Sequence, residues 1–434
     1  MKVVKFGGSS LADAKQFKKV KEIILADDER KYAVVSAPGK GEKNRHKVTD
    51  LLLMCHQLAS HGLNIEEIFV NIRIIFKSIV ADLDLDIDID SILDEISCNI
   101  QMGSSIDYAL SRGEYLNARL MATYLGWNFV DSKDLIFFNG ELLDDEKTEE
   151  SIGRILSDLE YSVIPGFYGS NEKGEIQAFS RGGSDVTGSL IANGVRADIY
   201  ENWTDVSGFL VADPRIVHDA KTIDYVTYKE LRELSYMGAP VLHQDAIRPV
   251  KKLRIPINIR NTNDPENPGT TIVEDYSDSF AKHDITGIAG RKGFTVITTE
   301  KTFMNADLGV FRRIASVFET NEIPIEHIPS SIDSVSVIAE SGKIADKLPN
   351  IIEEIKIYTD PDEIKVEDKI SLIAIVGKGM INRVGISSRI MTAVARAGVN
   401  IKMINQGSSE LNVIIGVEDR DFEKAIEAIY NEFE

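Results

Sequence analysis

Residues Met1–Ser10 read MKVVKFGGSS. Val3, Val4 and Phe6 form a short apolar run of strand type. Gly7-Gly8-Ser9-Ser10 end it, and an apolar helical period follows at Leu11, Phe17, Val20, Ile23 and Ile24. A strand, a glycine pair and a helix start with serine caps together make an anion site. Backbone N–H groups point at the anion, the helix dipole favours negative charge, and glycine permits close approach. Lys5, two residues before the glycines, adds a full positive charge. An ordinary β-turn-α connection with a surface lysine fits the same ten residues, which leave both readings open.

The next strand, Tyr32-Ala33-Val34-Val35, closes on Ser36-Ala37-Pro38-Gly39. Residues 1–40 thus read as a βαβ unit whose parallel strands end at one sheet edge. The polar, mostly basic loop from Gly39 to Lys47 fits either a solvated loop or a lid over a phosphate. Residues 48–125 read as almost entirely helical, with Thr49-Asp50 as a cap before Leu51-Leu52-Leu53. Within them Asp82–Ser91 (DLDLDIDIDS) reads as a helix junction. It lacks the glycine and terminal glutamate of a calcium loop. Arg112-Gly113-Glu114 opens or interrupts a helix, and its glutamate is either solvated or faces a ligand's ammonium group. Strands are expected at 127–130, 135–138 and 162–167, with a helix over 145–160.

A second glycine-rich helix start, Ser180-Arg181-Gly182-Gly183-Ser184-Asp185, precedes Val186, Leu190 and Ile191. Arginine matches a carboxylate or phosphate with two parallel hydrogen bonds, and Asp185 at the helix start also suits a cap. Two such starts, each with a cation just upstream, point to two anionic ligands brought together. The strand Ala197–Trp203 ends in Thr204-Asp205-Val206-Ser207-Gly208, and Asp213-Pro214-Arg215 follows. This cluster fits a nucleotide pocket as well as plain turn chemistry. A helix over 228–237, Val241-Leu242-His243 and a strand over 255–260 carry the first domain to about residue 280.

Composition bounds the partners. The chain has 434 residues, 43% hydrophobic and 27% charged, as expected of two or three globular domains. A formal net charge of −20 argues against nucleic acid or an anionic membrane as the main partner. Cys55 and Cys98 form no CxxC motif and read as two buried thiols in a reducing compartment. No apolar run reaches membrane-spanning length and the N-terminus has no signal-peptide shape, so a cytoplasmic protein is expected.

The C-terminal third repeats itself: residues 294–338 align on 370–414 without a gap. Gly309 falls on Gly385, Arg313 on Arg389 and Ile314 on Ile390. Each unit reads as strand, helix, strand, strand, helix, with a further strand at Ile355–Thr359 in the first. The second ends without a sixth element, and Ile285–Ala289 is the candidate strand to complete it. The two units are therefore expected to interlock.

KFGGSS, VVSAPGK, RGE, SRGGSD, TDVSGFLVADPR and VLH stand in the order and spacing of the aspartate kinases, members of the amino-acid kinase superfamily. The chain resembles that family over essentially its whole length, and the repeat resembles tandem ACT domains. The resemblance implies an α/β amino-acid kinase fold over 1–280, an open mostly parallel sheet between helices that contains the helical segment 48–125. Two interlocked βαββαβ ACT units would follow over 285–434, at about 294–360 and 370–434. It implies ATP-dependent phosphorylation of the β-carboxylate of L-aspartate, the first step of lysine, threonine and methionine biosynthesis, with Mg²⁺ held mainly by the ATP phosphates and water and no protein ligand singled out for it. Lys5 and Asp185 resemble the catalytic pair. Gly7, Gly8, Ser9, Thr204, Asp205, Leu210, Asp213 and Arg215 resemble the nucleotide pocket. Ser36, Thr49, Glu114 and Arg181 resemble the amino-acid pocket. Met304, Asn305, Gly309, Glu326 and Ser330 resemble an effector pocket for lysine, with threonine or both together as alternatives. A homodimer or higher assembly through the ACT units is implied as well. Leu210 and Pro240 depart from the family, which often carries tyrosine and lysine there, and Gln244 replaces a common proline. A sister amino-acid kinase and a non-catalytic amino-acid sensor remain as other readings. The RGE and TDVSGF…DPR segments argue against the first, and Lys5, Glu114, Arg181 and Asp185 against the second.

Overall fold

The computed structural model describes residues 1–41, 46–180, 182–239, 242, 244–276 and 284–433. It falls into two compact units. The first comprises Met1–Phe209, Asp224–Thr227 and Val241–Asp275; the second comprises Leu210–Ile223, Tyr228–Pro240 and Tyr276–Glu434. The division is not a single cut near residue 280, because two short stretches of the earlier chain belong to the second unit.

In the first unit, β1 (Lys2–Phe6), α1 (Ala14–Leu25) and β2 (Arg30–Val35) form the expected βαβ unit. Four helices follow: α2 (Val48–Ser60), α3 (Glu66–Leu83), α4 (Ile89–Gln101) and α5 (Ile106–Leu125). Asp88 caps α4 by accepting from the Ser91 N–H, so 82–91 is a helix junction as its sequence suggests. Next come β3 (Asn128–Phe129), the hairpin β4 (Phe138–Asn139) and β5 (Leu142–Leu143), α6 (Asp145–Ser157) and β6 (Ser162–Pro165). Residues 135–138 do not form the expected strand; Leu135 and Ile136 pack as buried residues after a short 3₁₀ turn, Ser132–Asp134. A second hairpin, β7 (Tyr168–Ser170) and β8 (Ile176–Ala178), leads to α7 (Gly183–Gly194) and β9 (Ile199–Thr204). After β10 (Tyr225–Thr227), the second unit's α8 (Tyr228–Tyr236) intervenes. The first unit closes with α9 (Gln244–Lys252), β11 (Ile257–Asn261) and β12 (Thr270–Val273).

Eight strands form one sheet in the order β10-β12-β11-β9-β1-β2-β6-β3. Every pair is parallel except β11 with β12. β1 therefore lies mid-sheet, with β2 on one side and β9 on the other, at the point where the strand order reverses. Ligands of open α/β sheets bind past the strand ends at such a point. The core explains the register: Val4, Phe6, Ala33, Val35, Phe17, Val20, Ile24 and Trp203 pack in one buried cluster. That burial fixes which face of β1 meets α1.

The second unit carries a five-stranded antiparallel sheet. Its elements are β13 (Gly287–Glu300), α10 (Val310–Thr320), β14 (Ser334–Glu340), α11 (Ser341–Ile344) and α12 (Leu348–Thr359), then β15 (Glu363–Val376), α13 (Ile386–Arg396), β16 (Met403–Asn405), β17 (Asn412–Glu418) and α14 (Phe422–Phe433). The strand order is β14-β13-β15-β17-β16. Two long strands interlock the repeats. Gly287–Arg291 of β13 pairs with Leu372–Val376, while Phe294–Glu300 pairs with both β14 and Glu363–Ile370. The segment at Ile285–Ala289 thus completes the second repeat's sheet. Ile355–Thr359 is not a strand. It ends α12, where Ile351, Ile355 and Thr359 stand one turn apart and face inward. Gly309 and Gly385, equivalent in the repeat, cap α10 and α13 at φ 84° and 97°, a conformation that favours glycine.

Glu230 on α8 is fully buried. It accepts from Thr286 Oγ1 at 2.6 Å, Tyr276 Oη at 3.1 Å and the Lys378 N–H at 2.6 Å, which ties α8 to both long-strand ends of its unit. Glu230→Leu leaves those donors without this acceptor. It is expected to lower stability by about 2–5 kcal/mol, measured as a fall in the urea midpoint. An unchanged midpoint would show that the carboxylate holds nothing. Cys55 is buried, and burial pushes its thiol up to about 12. Cys98 is exposed, contrary to the expectation of two buried thiols. Among the described residues no helix is long and apolar enough to cross a membrane.

Candidate active site

Lys5 is the last residue but one of β1 and is 7% exposed. A lone buried ammonium is costly, and two side chains answer it. Its Nζ lies 2.6 Å from Asp185 Oδ1, at the first turn of α7, and 3.4 Å from Asn202 Oδ1 on β9. Asn202 Nδ2 in turn donates to Asp185 Oδ1 at 2.9 Å. The two glycine-rich starts therefore converge on one ion pair, and Asn202 fixes its geometry. Sequence patterning does not single out Asn202; its one signal is a polar residue in the middle of a central strand, IYENWT.

The chain past β1 differs from the expected helix start. Gly8–Leu11 winds a 3₁₀ turn, and α1 begins only at Ala14, capped by Asp13 accepting from the Gln16 N–H at 3.0 Å. The serines are not the caps: Ser10 Oγ pairs with Thr262 Oγ1 at 2.8 Å. The Gly7 N–H is held by the Trp203 carbonyl, which leaves Gly8 and Ser9 as the loop's candidate donors. Gly8 and Gly39 lie back to back. A Cβ on Gly8 would stand 2.8 Å from the Ala37 carbonyl oxygen, and one on Gly39 2.6 Å from Gly8 C. Only glycine at both positions lets the turns after β1 and β2 touch. Gly182 takes φ 59° at the cap of α7, so SRGGSD needs that glycine for its turn. Arg181 lies outside the described residues.

The turn after β2 meets α5. Arg112-Gly113-Glu114 neither opens nor interrupts a helix; it lies inside the continuous α5. Gly113 is there for packing, since a Cβ would fall 2.7 Å from Ala37 Cβ. This close approach outweighs glycine's helix penalty of about 1 kcal/mol. Arg112 turns away into tyrosines, its guanidinium 4.5 and 4.4 Å from the Tyr108 and Tyr115 ring centres. Glu114 is 6% exposed. Burial pushes its carboxyl up to about 8, opposed by the Ala37 N–H bonded to it. Its Oε2 is buried and has no hydrogen-bond partner among the described residues. Asn117, one turn on, donates from Nδ2 to the Ser36 carbonyl at 2.7 Å. Ser36 is half-buried at the end of β2. Thr49 is the second residue of α2, whose cap position is Lys47 rather than the Thr49-Asp50 pair.

Of the expected nucleotide residues, Thr204 and Asp205 stand at the end of β9, with a hydrogen bond of 3.2 Å between their side chains. In the second unit Leu210 pairs with Thr222 in a short bridge, and Asp213 holds Arg215 by a 2.5 Å ion pair. The Arg215 guanidinium keeps the Asp213 carboxyl below the usual carboxylate range. Pro240 lies outside the described residues. A cleft of about 1260 Å³ in the first unit is walled by Tyr108, Phe167, Phe179, Ser180, Val186 and Arg248 among others, and neither Lys5 nor Asp185 lines it.

Of the expected effector residues, Met304 is buried in the core of the first repeat, Asn305 and Ser330 are exposed, and Gly309 caps α10. The Glu326 side chain is 7% exposed, with Arg291 Nη2 at 3.9 Å. Tyr236 of α8 bonds to it; burial, then this carboxylate, push the phenol up to about 12.

This architecture and ion pair define a class. Residues 1–261 match the amino acid kinase family and residues 373–433 an ACT domain. The chain belongs to the amino acid kinase family. Within it, the chain falls among the aspartate kinases. It is 37% identical to aspartokinase 3 of Bacillus subtilis, over all of this chain and 98% of that one. It is 50% identical to an aspartate kinase of Clostridium acetobutylicum described as an allosteric enzyme, with TM-score 0.90 over all of this chain and 99% of that one. Aspartokinase III of Escherichia coli, solved with aspartate and ADP, shares the fold at 24% identity and TM-score 0.69, covering all of this chain and 99% of that one.

Proposed function

We propose that the chain transfers the γ-phosphoryl group of ATP to the β-carboxylate of L-aspartate. A carboxylate oxygen attacks Pγ, the bond from Pγ to the β,γ-bridging oxygen breaks, and ADP leaves. The product is the acyl phosphate 4-phospho-L-aspartate. The nucleophile is already an anion at neutral pH, so no proton moves. Catalysis then rests on positioning and charge neutralisation. The observation that carries this reading is Lys5, held by Asp185 and Asn202 where the two glycine-rich turns converge.

Lys5 meets the transferring phosphoryl group, with Gly7, Gly8 and Ser9 lining the phosphates. Thr204, Asp205, Leu210, Asp213 and Arg215 serve the nucleotide. Ser36, Thr49, Glu114 and Arg181 hold the amino acid, with Arg181 on a carboxylate and Glu114 on the ammonium group. No group of three or more metal-ligating side chains occurs among the described residues. Mg²⁺ would be held mainly by the ATP phosphates and water and would supply charge neutralisation there. The catalytic domain lies within residues 1–280 and the regulatory one is built on 285–434, in the compact unit that also takes in Leu210–Ile223 and Tyr228–Pro240. An amino acid, lysine or threonine, binds at Met304, Asn305, Gly309, Glu326 and Ser330 and acts by feedback on a cytoplasmic homodimer or larger assembly. The enzyme opens lysine, threonine and methionine biosynthesis.

An ATP-dependent assay with hydroxylamine as trap tests the reaction. A hydroxamate formed with L-aspartate and not with other acidic amino acids is expected, with loss of signal when lysine or threonine is added. Turnover with another acceptor would place the chain with a sister kinase, and no turnover would make it a sensor. Arg181→Ala is expected to raise KM for L-aspartate far more than KM for ATP. Equal rises would remove Arg181 from the amino-acid pocket.

A further inference from the structure

α5 carries two buried side-chain oxygens, one turn apart, that have no hydrogen-bond partner among the described residues. They are Glu114 Oε2 and Asn117 Oδ1, both shielded from solvent. Residues three apart on a helix share a face, and here that face is pressed against Ser36-Ala37. The Ala37 N–H bonds to the Glu114 carboxylate, and Asn117 Nδ2 donates to the Ser36 carbonyl at 2.7 Å. This contact fixes the amide's orientation. Turning it over would set two acceptor oxygens at that distance, so the nitrogen faces Ser36 and Oδ1 faces away from it. Asn117 is 0% exposed, so Oδ1 has no water to bond. A buried polar atom without a partner is costly, and a pair of them more so; such groups persist where a ligand brings the partner, here one that also drives the proton from Glu114.

We propose that Asn117 is a specificity-determining residue of the amino-acid pocket: its Oδ1, with Glu114 Oε2, forms a two-point acceptor for the substrate's α-ammonium group. A primary ammonium carries three N–H donors and no acceptor, which suits two acceptors on one helix face. Glu114 supplies charge, and Asn117 supplies direction without a second charge. Through Nδ2 the same amide holds the Ser36 carbonyl, so one side chain sets both the pocket wall and the ammonium position. The inference rests on Glu114 as the ammonium acceptor.

The test compares two ligands that differ only in the ammonium group. Binding of L-aspartate and of succinate is measured by calorimetry on the full-length protein. In Asn117→Leu, the dissociation constant for L-aspartate is expected to rise about 10–100-fold, the scale of a lost hydrogen bond to a charged group. That for succinate should move less than about 3-fold, since it has no donor for Oδ1. Asn117→Asp keeps an acceptor but loses the donor to Ser36, and should retain the preference for L-aspartate. Equal weakening of both ligands in Asn117→Leu, or loss of preference in Asn117→Asp, would overturn the proposal and leave Asn117 as a support for Ser36. If Asn117→Leu does not fold, Asn117→Asp alone decides. Glu114→Gln separates this from the reading beneath it. If that variant keeps the full preference for L-aspartate, the assignment of Glu114 has failed. If it loses the preference while Asn117→Leu keeps it, only the role of Asn117 has failed.

Discussion

Lys5→Ala is expected to lower kcat by about 10²–10³-fold or more, the scale of removing one donor that acts on developing transition-state charge. The expectation follows from where Lys5 sits. It is buried at the centre of the sheet, where Asp185 and Asn202 approach it from one α-helix and one strand; no third partner occurs among the described residues. A structural lysine would be fully answered by such partners. This one is aimed and partly answered, as charge stabilisation without reorganisation requires. The loss should fall on kcat, because charge is redistributed between the transferring phosphoryl group and its leaving oxygen only as transfer proceeds. KM for L-aspartate, set by other side chains, should change little. Steady-state rates with L-aspartate and ATP check this, with thermal unfolding as a control that Asp185, left alone, has not disturbed α7. Turnover near that of the parent would remove Lys5 from the chemistry.

How far the sequence reveals this site depends on the range of each interaction. β1, the glycine turns and the strand ends are legible because they are local. A strand followed by GG, and a helix after it, has few ways to fold. The repeat is legible because Gly309 and Gly385 need the same left-handed φ. The serines after Gly8 suggest caps because Ser and Asp both cap helices. Asp13 takes that place only because Ser10 finds Thr262, 252 residues away. Arg112-Gly113-Glu114 suggests a break because glycine is a poor helix former. The contact of Gly113 with Ala37, which no local rule contains, keeps the helix continuous there. Ile355–Thr359 has strand composition, but its inward residues stand four apart, and that period favours the helix that forms. Asn202 and Asn117 are invisible in the sequence for one reason. A buried amide has meaning only through its partner, and theirs are Lys5 and Ser36, 197 and 81 residues away.

Binding of L-aspartate is expected to release close to one proton per site at pH 7. Burial holds the Glu114 carboxyl at about 8, so the unliganded protein keeps that proton at neutral pH. An ammonium group against Oε2 favours the carboxylate and drives the proton out. Affinity for L-aspartate should therefore rise roughly tenfold per pH unit up to about 8 and then level off. Calorimetry in buffers of different ionisation enthalpy counts the proton. The same carboxyl sets a stability window of opposite sense. From the ordinary value of 4.5 up to about 8, the unfolded chain has lost this proton and the folded chain has not. Folded Glu114 binds more protons over that range, so its contribution to stability falls as pH rises and is constant above it. Glu114→Gln removes this dependence. It is expected to be more stable than the parent at pH 8.5, with less difference at pH 5, and to lose both the proton release and most of the affinity for L-aspartate. Parallel pH–stability curves for parent and variant would show that Glu114 is not a strained acid. The opposite signs of the two effects follow from one cause. A carboxyl left unpaired in the free protein costs folding energy at working pH, and the ammonium group that pairs it recovers that energy as affinity and selectivity.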